Sequence, residues 1–112
     1  MVGRFTSMIR FITAYLFFIS IGLSQSRVHI NDLVQSGNLL LDSNKKPFTG
    51  IAYNTSSKSD KKLQESKYLK GLLHGTHKEW WENGNKKFMG RFKSGDKIGR
   101  WVEYFENGKI KS

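Results

Sequence analysis

Gly75-Thr-His-Lys-Glu-Trp-Trp-Glu-Asn-Gly-Asn-Lys-Lys-Phe88 and Gly99-Arg-Trp-Val-Glu-Tyr-Phe-Glu-Asn-Gly-Lys-Ile-Lys-Ser112 lie 24 residues apart, and their match decides the fold. Six of the 14 aligned positions are identical: Gly75/Gly99, Glu79/Glu103, Glu82/Glu106, Asn83/Asn107, Gly84/Gly108 and Lys87/Lys111. Trp80/Tyr104 and Trp81/Phe105 stay aromatic, and the same offset carries Tyr68 onto Phe92 and Gly71 onto Gly95. Self-similarity at a fixed period marks a repeat architecture. Residues 76–82 and 100–106 alternate aromatic with polar side chains, which is strand composition. Asn83-Gly84 and Asn107-Gly108 read as tight hairpin turns, predicted as type I′ because both residue types accept positive φ. A second strand returns through Lys87 to Lys93, and glycine-punctuated turns (Gly71 to Gly75, Gly95 to Gly99) open the next unit. The expectation is an all-β chain, a single-layer antiparallel β-meander built from hairpin repeats of about 24 residues.

Working back from the repeats, a degenerate unit occupies 50–74. Gly50-Ile-Ala-Tyr53 enters its strand, and Asn54 to Asp60 forms a looser polar turn. The units at 75–98 and 99–112 follow, the last one cut short. Residues 27–49 form a lead-in: Leu39 to Leu41, the turn Asp42 to Asn44 and Pro47-Phe48 read as one more hairpin. Pro47 stands at a strand start, where its missing N–H breaks no ladder bond. Ile30 to Leu41 has apolar spacing that suits a helix, but Ser36-Gly37-Asn38 interrupts it, so no substantial helix is expected. Residues 1–26 read as a signal peptide. Arg4 and Arg10 make a basic start, Phe11 to Leu23 is an uncharged apolar run, and Ser24-Gln25-Ser26 offers small residues for cleavage near Ser26. The run is short for a spanning helix, which needs about 20 apolar residues. The expected location is therefore secreted or periplasmic.

Charge and cysteine usage narrow the function classes. Taking Arg4 and Arg10 away from the 19 basic residues leaves a surplus of +8 over the 9 acidic ones. Such a surplus suits an anionic lipid or envelope surface or an acidic protein. The lysines are scattered in ones and twos, as on solvated strand positions, and an exported chain does not meet nucleic acid. With no cysteine, neither disulfides nor a lipid anchor at the cleavage site is available, and stability falls to aromatic packing and backbone pairing.

The pattern Gly-x-Trp-x-Glu-Tyr-Phe-Glu-Asn-Gly-x-Ile-Lys at 99–111 resembles the bacterial MORN-repeat variant, which recurs in the YwqK-family antitoxin group of toxin–antitoxin systems. Asn31-Asp-Leu-Val34 and Lys46-Pro-Phe-Thr-Gly50 resemble the lead-in of exported members. The resemblance spans roughly residues 28–112. It implies a single-layer β-meander that binds protein or lipid and is not an enzyme. The degenerate first unit departs from the pattern, and the exported start sits badly with a cytoplasmic antitoxin.

Little in the chain suggests chemistry. His74-x-x-His77-x-Glu79 hints at a metal, but zinc needs further ligands, and His77 reads as a half-buried ring in the place Trp101 takes one repeat later. The pairs Glu79/Glu82 and Glu103/Glu106 repeat with the period, as structural elements do, and Glu82 and Glu106 suit cross-hairpin pairing with lysine. No Ser/His/Asp set stands out, and no cofactor or metal is expected. The aromatic positions Trp80, Trp81, Trp101, Tyr104 and Phe105 are the expected binding surface. Trp81 and His77 are placed on one face with Trp101 and Phe105, and Trp80, Val102 and Tyr104 on the other. The strand Arg100 to Glu106 is expected to be paired along only part of its outer side, open to self-association or a partner's strand. The expected function is an exported binding or scaffold module with a protein or envelope partner. The alternative is an antitoxin or immunity protein that masks a toxin.

Overall fold

A computed structural model describes residues 26–112. The expected signal peptide lies outside the described residues apart from Ser26. The regular structure of the described chain is almost all strand: β1 (Arg27–His29), β2 (Val34–Ser36), β3 (Leu39–Leu41), β4 (Gly50–Thr55), β5 (Lys62–Leu69), β6 (Leu72–Trp80), β7 (Lys86–Lys93) and β8 (Asp96–Glu103). The only helical element among these residues is the 3₁₀ turn Ile30–Asp32. β1 and β4 to β8 form one six-stranded sheet in the order β1-β4-β5-β6-β7-β8, while β2 and β3 form a separate hairpin. From β4 to β8 every neighbour is antiparallel, as a meander of hairpins requires.

Three features differ from the sequence reading. First, β1 joins β4 in parallel, and the main-chain O of Ser26 accepts from Ile51 N at 2.7 Å. A parallel pair needs a long crossover, which the lead-in supplies. Second, the lead-in holds two hairpins. β2 and β3 pair across Gly37-Asn38, so the segment read only as a helix breaker is itself a turn, and Leu41 bridges Pro47 as expected.

Third, the turn types are exchanged. At Asn83-Gly84 only the glycine has positive φ (+90°). Gly84 N donates to Trp81 O at 2.9 Å and Trp81 N to Asn85 O at 2.8 Å. That is a type I turn closed by a glycine bulge, a three-residue loop. Gly108 and Phe105 repeat the pattern at 2.9 Å, with Phe105 N donating to Lys109 O at 2.8 Å. The type I′ signature, positive φ at both central residues, falls instead at Lys70-Gly71 (+50° and +86°) and Ser94-Gly95 (+49° and +92°). Gly75 and Gly99 lie inside β6 and β8 rather than in these turns.

The repeat is written into the hydrogen bonds along both turn edges of the sheet. On one edge, Glu82 O accepts from Lys61 Nζ at 3.3 Å, and Glu106 O accepts from Asn85 Nδ2 at 2.9 Å and Asn83 Nδ2 at 2.8 Å. On the other, Gly71 N donates to Phe48 O and Gly95 N to Leu73 O, both at 2.8 Å. Lys61 and Asn85, like Gly71 and Gly95, stand 24 residues apart. Each turn is tied to the one before it.

The core sits at the N-terminal end of the sheet. Leu33, Leu40, Phe48 and Ala52 are buried together, with Val28, Ile30 and Tyr68 packed against them. The lead-in thus lies over the face that carries Ala52, the inner face, and makes a local second layer because its leucines and Phe48 need cover. Burial there pushes the Tyr68 phenol above its ordinary pKa. Beyond β6 the sheet continues as a single layer.

Candidate binding surface

Register partners share a face, so one row can be followed across the inner side: Val28, Ala52, Ser66, His77 and Gly90. Trp101 completes it, its ring resting on Gly90 and its centroid 5.8 Å from that of His77. Small and ring-bearing side chains alternate. His77 and Trp101, 24 residues apart, each lie beside a small residue of the preceding strand, Ser66 and Gly90, which are also 24 apart. Phe92 stands edge-on to both rings, at 5.7 Å from His77 and 5.1 Å from Trp101. His77, Glu79, Phe88, Phe92, Lys97 and Trp101 enclose a shallow cleft of about 120 Å³. Trp101 Nε1 is buried within it without a hydrogen-bond partner.

The same row holds a polar chain that the sequence reading missed. Ser66 Oγ and His77 Nδ1 are 2.6 Å apart, and His77 Nε2 lies 3.0 Å from a Glu79 carboxylate oxygen. Serine, histidine and carboxylate are all present, but Ser66 is 1% exposed, so its hydroxyl does not meet a substrate. The chain satisfies the buried imidazole on both nitrogens instead. Its signal in the sequence was the 24-residue offset that places Ser66 on Gly90 and His77 on Trp101. His74 does not join it: its Nδ1 accepts from Ser94 N at 3.2 Å, beside the neighbouring turn.

The outer face is different. Its central row runs His29, Tyr53, Glu65, Lys78, Met89 and Val102. Beside it lie Lys67 and Arg91, again 24 apart. Arg100 joins them: it takes the place that Thr76, register partner of Arg91, holds one repeat earlier. The carboxylate in this row is Glu65, which holds Arg27 at 3.0 Å and Lys62 at 2.6 Å. Burial raises the Glu65 carboxyl, but the hydrogen bonds and charges of Lys62 and Arg27 outweigh it, and its pKa falls below the ordinary value. Glu79 and Glu103, register partners of Phe88, lie on the inner face. Across β6 to β8 the inner face thus carries Glu79 and Glu103 together with Lys97, and the outer face carries Lys78, Arg91 and Arg100.

The five expected aromatic positions fall in three places. Trp101 belongs to the inner cluster. Trp80 and Tyr104 are outward, each with a lysine ammonium over its ring, Lys62 at 5.8 Å and Lys86 at 6.0 Å. Trp81 and Phe105 stand at the turn edge rather than with His77, covered by Lys87 at 4.6 Å and Lys111 at 5.8 Å. Trp81 Nε1 also donates to Tyr104 O at 3.3 Å. Both lysine–ring series recur at 24 residues, so these rings cap lysine stems within the repeat. Glu82 and Glu106 make no cross-hairpin lysine pair, since both lie within the loops, where the Glu82 carboxylate accepts from Ser56 Oγ. On the outer edge of β8, main-chain bonds among the described residues reach only Glu103, from Lys111 and Ser112.

Residues 73–94 and 97–112 match the family model of the MORN repeat variant. Both segments are similar to that repeat. Each matched segment starts in an inward-ring strand (β6 or β8), passes the Asn-Gly loop and turns back. No curated protein and no solved structure matches the chain. MORN repeats are generally associated with binding and scaffold roles.

Proposed function

We propose that this chain is an exported, non-enzymatic module that binds a protein partner through the single-layer part of its sheet, β6 to β8. The observation that carries the reading is the sorting of side chains there: an aromatic cleft around Trp101 on one face and unneutralised cations on the other. Surfaces that hold apolar groups ringed by charge are suited to partners. The buried hydroxyl of Ser66 supports a non-catalytic role. The basic start and apolar run of residues 1–23 support secretion or delivery to the periplasm, with cleavage near Ser26.

The test is a pull-down from the envelope fraction with a C-terminally tagged full chain, alongside N-terminal sequencing of the recovered protein. The expected result is a chain that begins near Arg27 and retains a protein partner. A chain that stays in the cytoplasm with Met1 in place, and that retains a toxin, overturns export and favours the antitoxin reading.

A further inference from the structure

Across β6 to β8 the outer face has a defined composition. Lys78, Met89 and Val102 are successive register partners on β6, β7 and β8, about 4.8 Å apart from strand to strand. Met89 and Val102 are half-buried and form a small apolar centre. Arg91 stands one step along β7 on the same side, and Arg100 one such step along β8. Lys86, register partner of Trp80, closes the other end with its ammonium over Tyr104. Among the described residues none of Lys78, Lys86, Arg91 and Arg100 has a carboxylate within ion-pair distance.

We propose that this patch, the Met89–Val102 pair ringed by Lys78, Lys86, Arg91 and Arg100, docks an acidic segment of a protein partner that carries an apolar side chain between carboxylates. The inference rests on the protein-binding function above and deepens it. Charge complementarity selects an anionic occupant. The guanidinium groups of Arg91 and Arg100 suit planar carboxylates, which they meet in a two-bonded fork. The apolar centre then separates a protein from other polyanions. A phosphate backbone or a charged glycan presents no apolar side chain between its charges to set against Met89 and Val102, and the nearby rings of Trp80 and Tyr104 each already have a lysine ammonium over them. An apolar anchor inside a charged rim is how protein interfaces concentrate their affinity.

The experiment titrates the intact chain, at low salt, with a fluorescein-labelled peptide that alternates Glu and Leu. Polyglutamate of the same length and oligothymidylate serve as competitors. The alternating peptide should bind, both competitors should displace it weakly, and the Arg91→Glu/Arg100→Glu variant should bind it about tenfold more weakly or worse. Both arginines are exposed, so the melting temperature should hold. If the reversed pair disturbs folding, the neutral pair Arg91→Gln/Arg100→Gln is read instead. The proposal is overturned by no binding, by unchanged binding in the variants, or by polyglutamate or oligothymidylate competing as well as the peptide itself. Repeating the envelope pull-down with the same variant separates the two readings. Equal capture of one partner by both chains removes the patch and leaves the binding function, whereas no capture by the wild-type chain removes the binding function itself.

Discussion

A Cβ built on Gly90 runs into Cδ2 and Cε2 of Trp101, the indole ring itself rather than a flexible tip. Gly90→Ala therefore forces the ring to move, and overpacking of this kind costs about 1–3 kcal/mol. Alanine regains up to about 1 kcal/mol of backbone entropy in a strand, so the clash decides the sign. In a Trp101→Leu background the ring is gone, and the same change should be neutral or stabilising. Urea unfolding of both pairs checks this; an equal cost in the two backgrounds would show that the ring does not set the need for glycine. Glu65 makes a different prediction. Its folded pKa is depressed by Arg27 and Lys62, so the native state binds fewer protons than the unfolded chain around the ordinary value of 4.5. Its stabilisation is present above that value and is lost as pH falls through the folded pKa. The stability gap between wild type and Glu65→Gln should thus close below about pH 4.5, from a maximum under about 1 kcal/mol because both cations are largely solvated. A gap that widens in acid would sink the assignment.

At the level of elements, each hairpin type states its own residue preference. Lys70 and Ser94 hold left-handed φ without being glycine, asparagine or aspartate, the residues that adopt it most readily. Their backbone bonds, Lys70 N to Thr49 Oγ1 at 2.9 Å and Ser94 N to His74 Nδ1 at 3.2 Å, involve no atom of their own side chains. Ser94→Asn should therefore stabilise by about 0.5–1 kcal/mol, raising the melting temperature by a few degrees. A fall would mean that the serine hydroxyl has a role the turn geometry does not explain. The same turns show how much was legible beforehand. The 24-residue offset revealed the strands, the loops and the place of His77 opposite Trp101 one repeat on, because repetition fixes register without any knowledge of contacts. Asn-Gly was misread as type I′ because the dipeptide fits both loop types, and the choice depends on whether Trp81 bonds Asn85, one residue beyond the pair. Lys-Gly and Ser-Gly carry a weaker signal, so the true type I′ turns passed unnoticed. The parallel β1 and the meeting of Ser66 with His77 were hidden for another reason. Both depend on pairing between strands, which a period along the chain does not state.

Over the whole molecule, burial is unevenly distributed along the repeat. The buried side chains Leu33, Leu40, Phe48, Ile51, Ala52, Ser56, Ser66 and His77 all precede Lys78, and residues 93–100 are exposed throughout. The lead-in covers one end of the sheet, and each later hairpin rests mainly on the one before it. In such a one-dimensional array stability is close to a sum of unit and neighbour terms, so the uncovered end has less holding it. Local opening follows low buried contact and solvent-exposed backbone bonds. Amide exchange should therefore be slowest in β4, β5 and the His77 end of β6, intermediate in β7 and fastest in β8 and the loop after it. The inner-face cluster makes the boundary testable. Phe92 and Trp101 bind β7 and β8 to His77, so Trp101→Ala should raise exchange in β7 and β8 while β4 and β5 keep their protection. Uniform protection from β4 to β8, or a Trp101→Ala effect that spreads equally to β4, would mean that the sheet opens as one cooperative body and that the uncovered repeats are no looser than the core they extend.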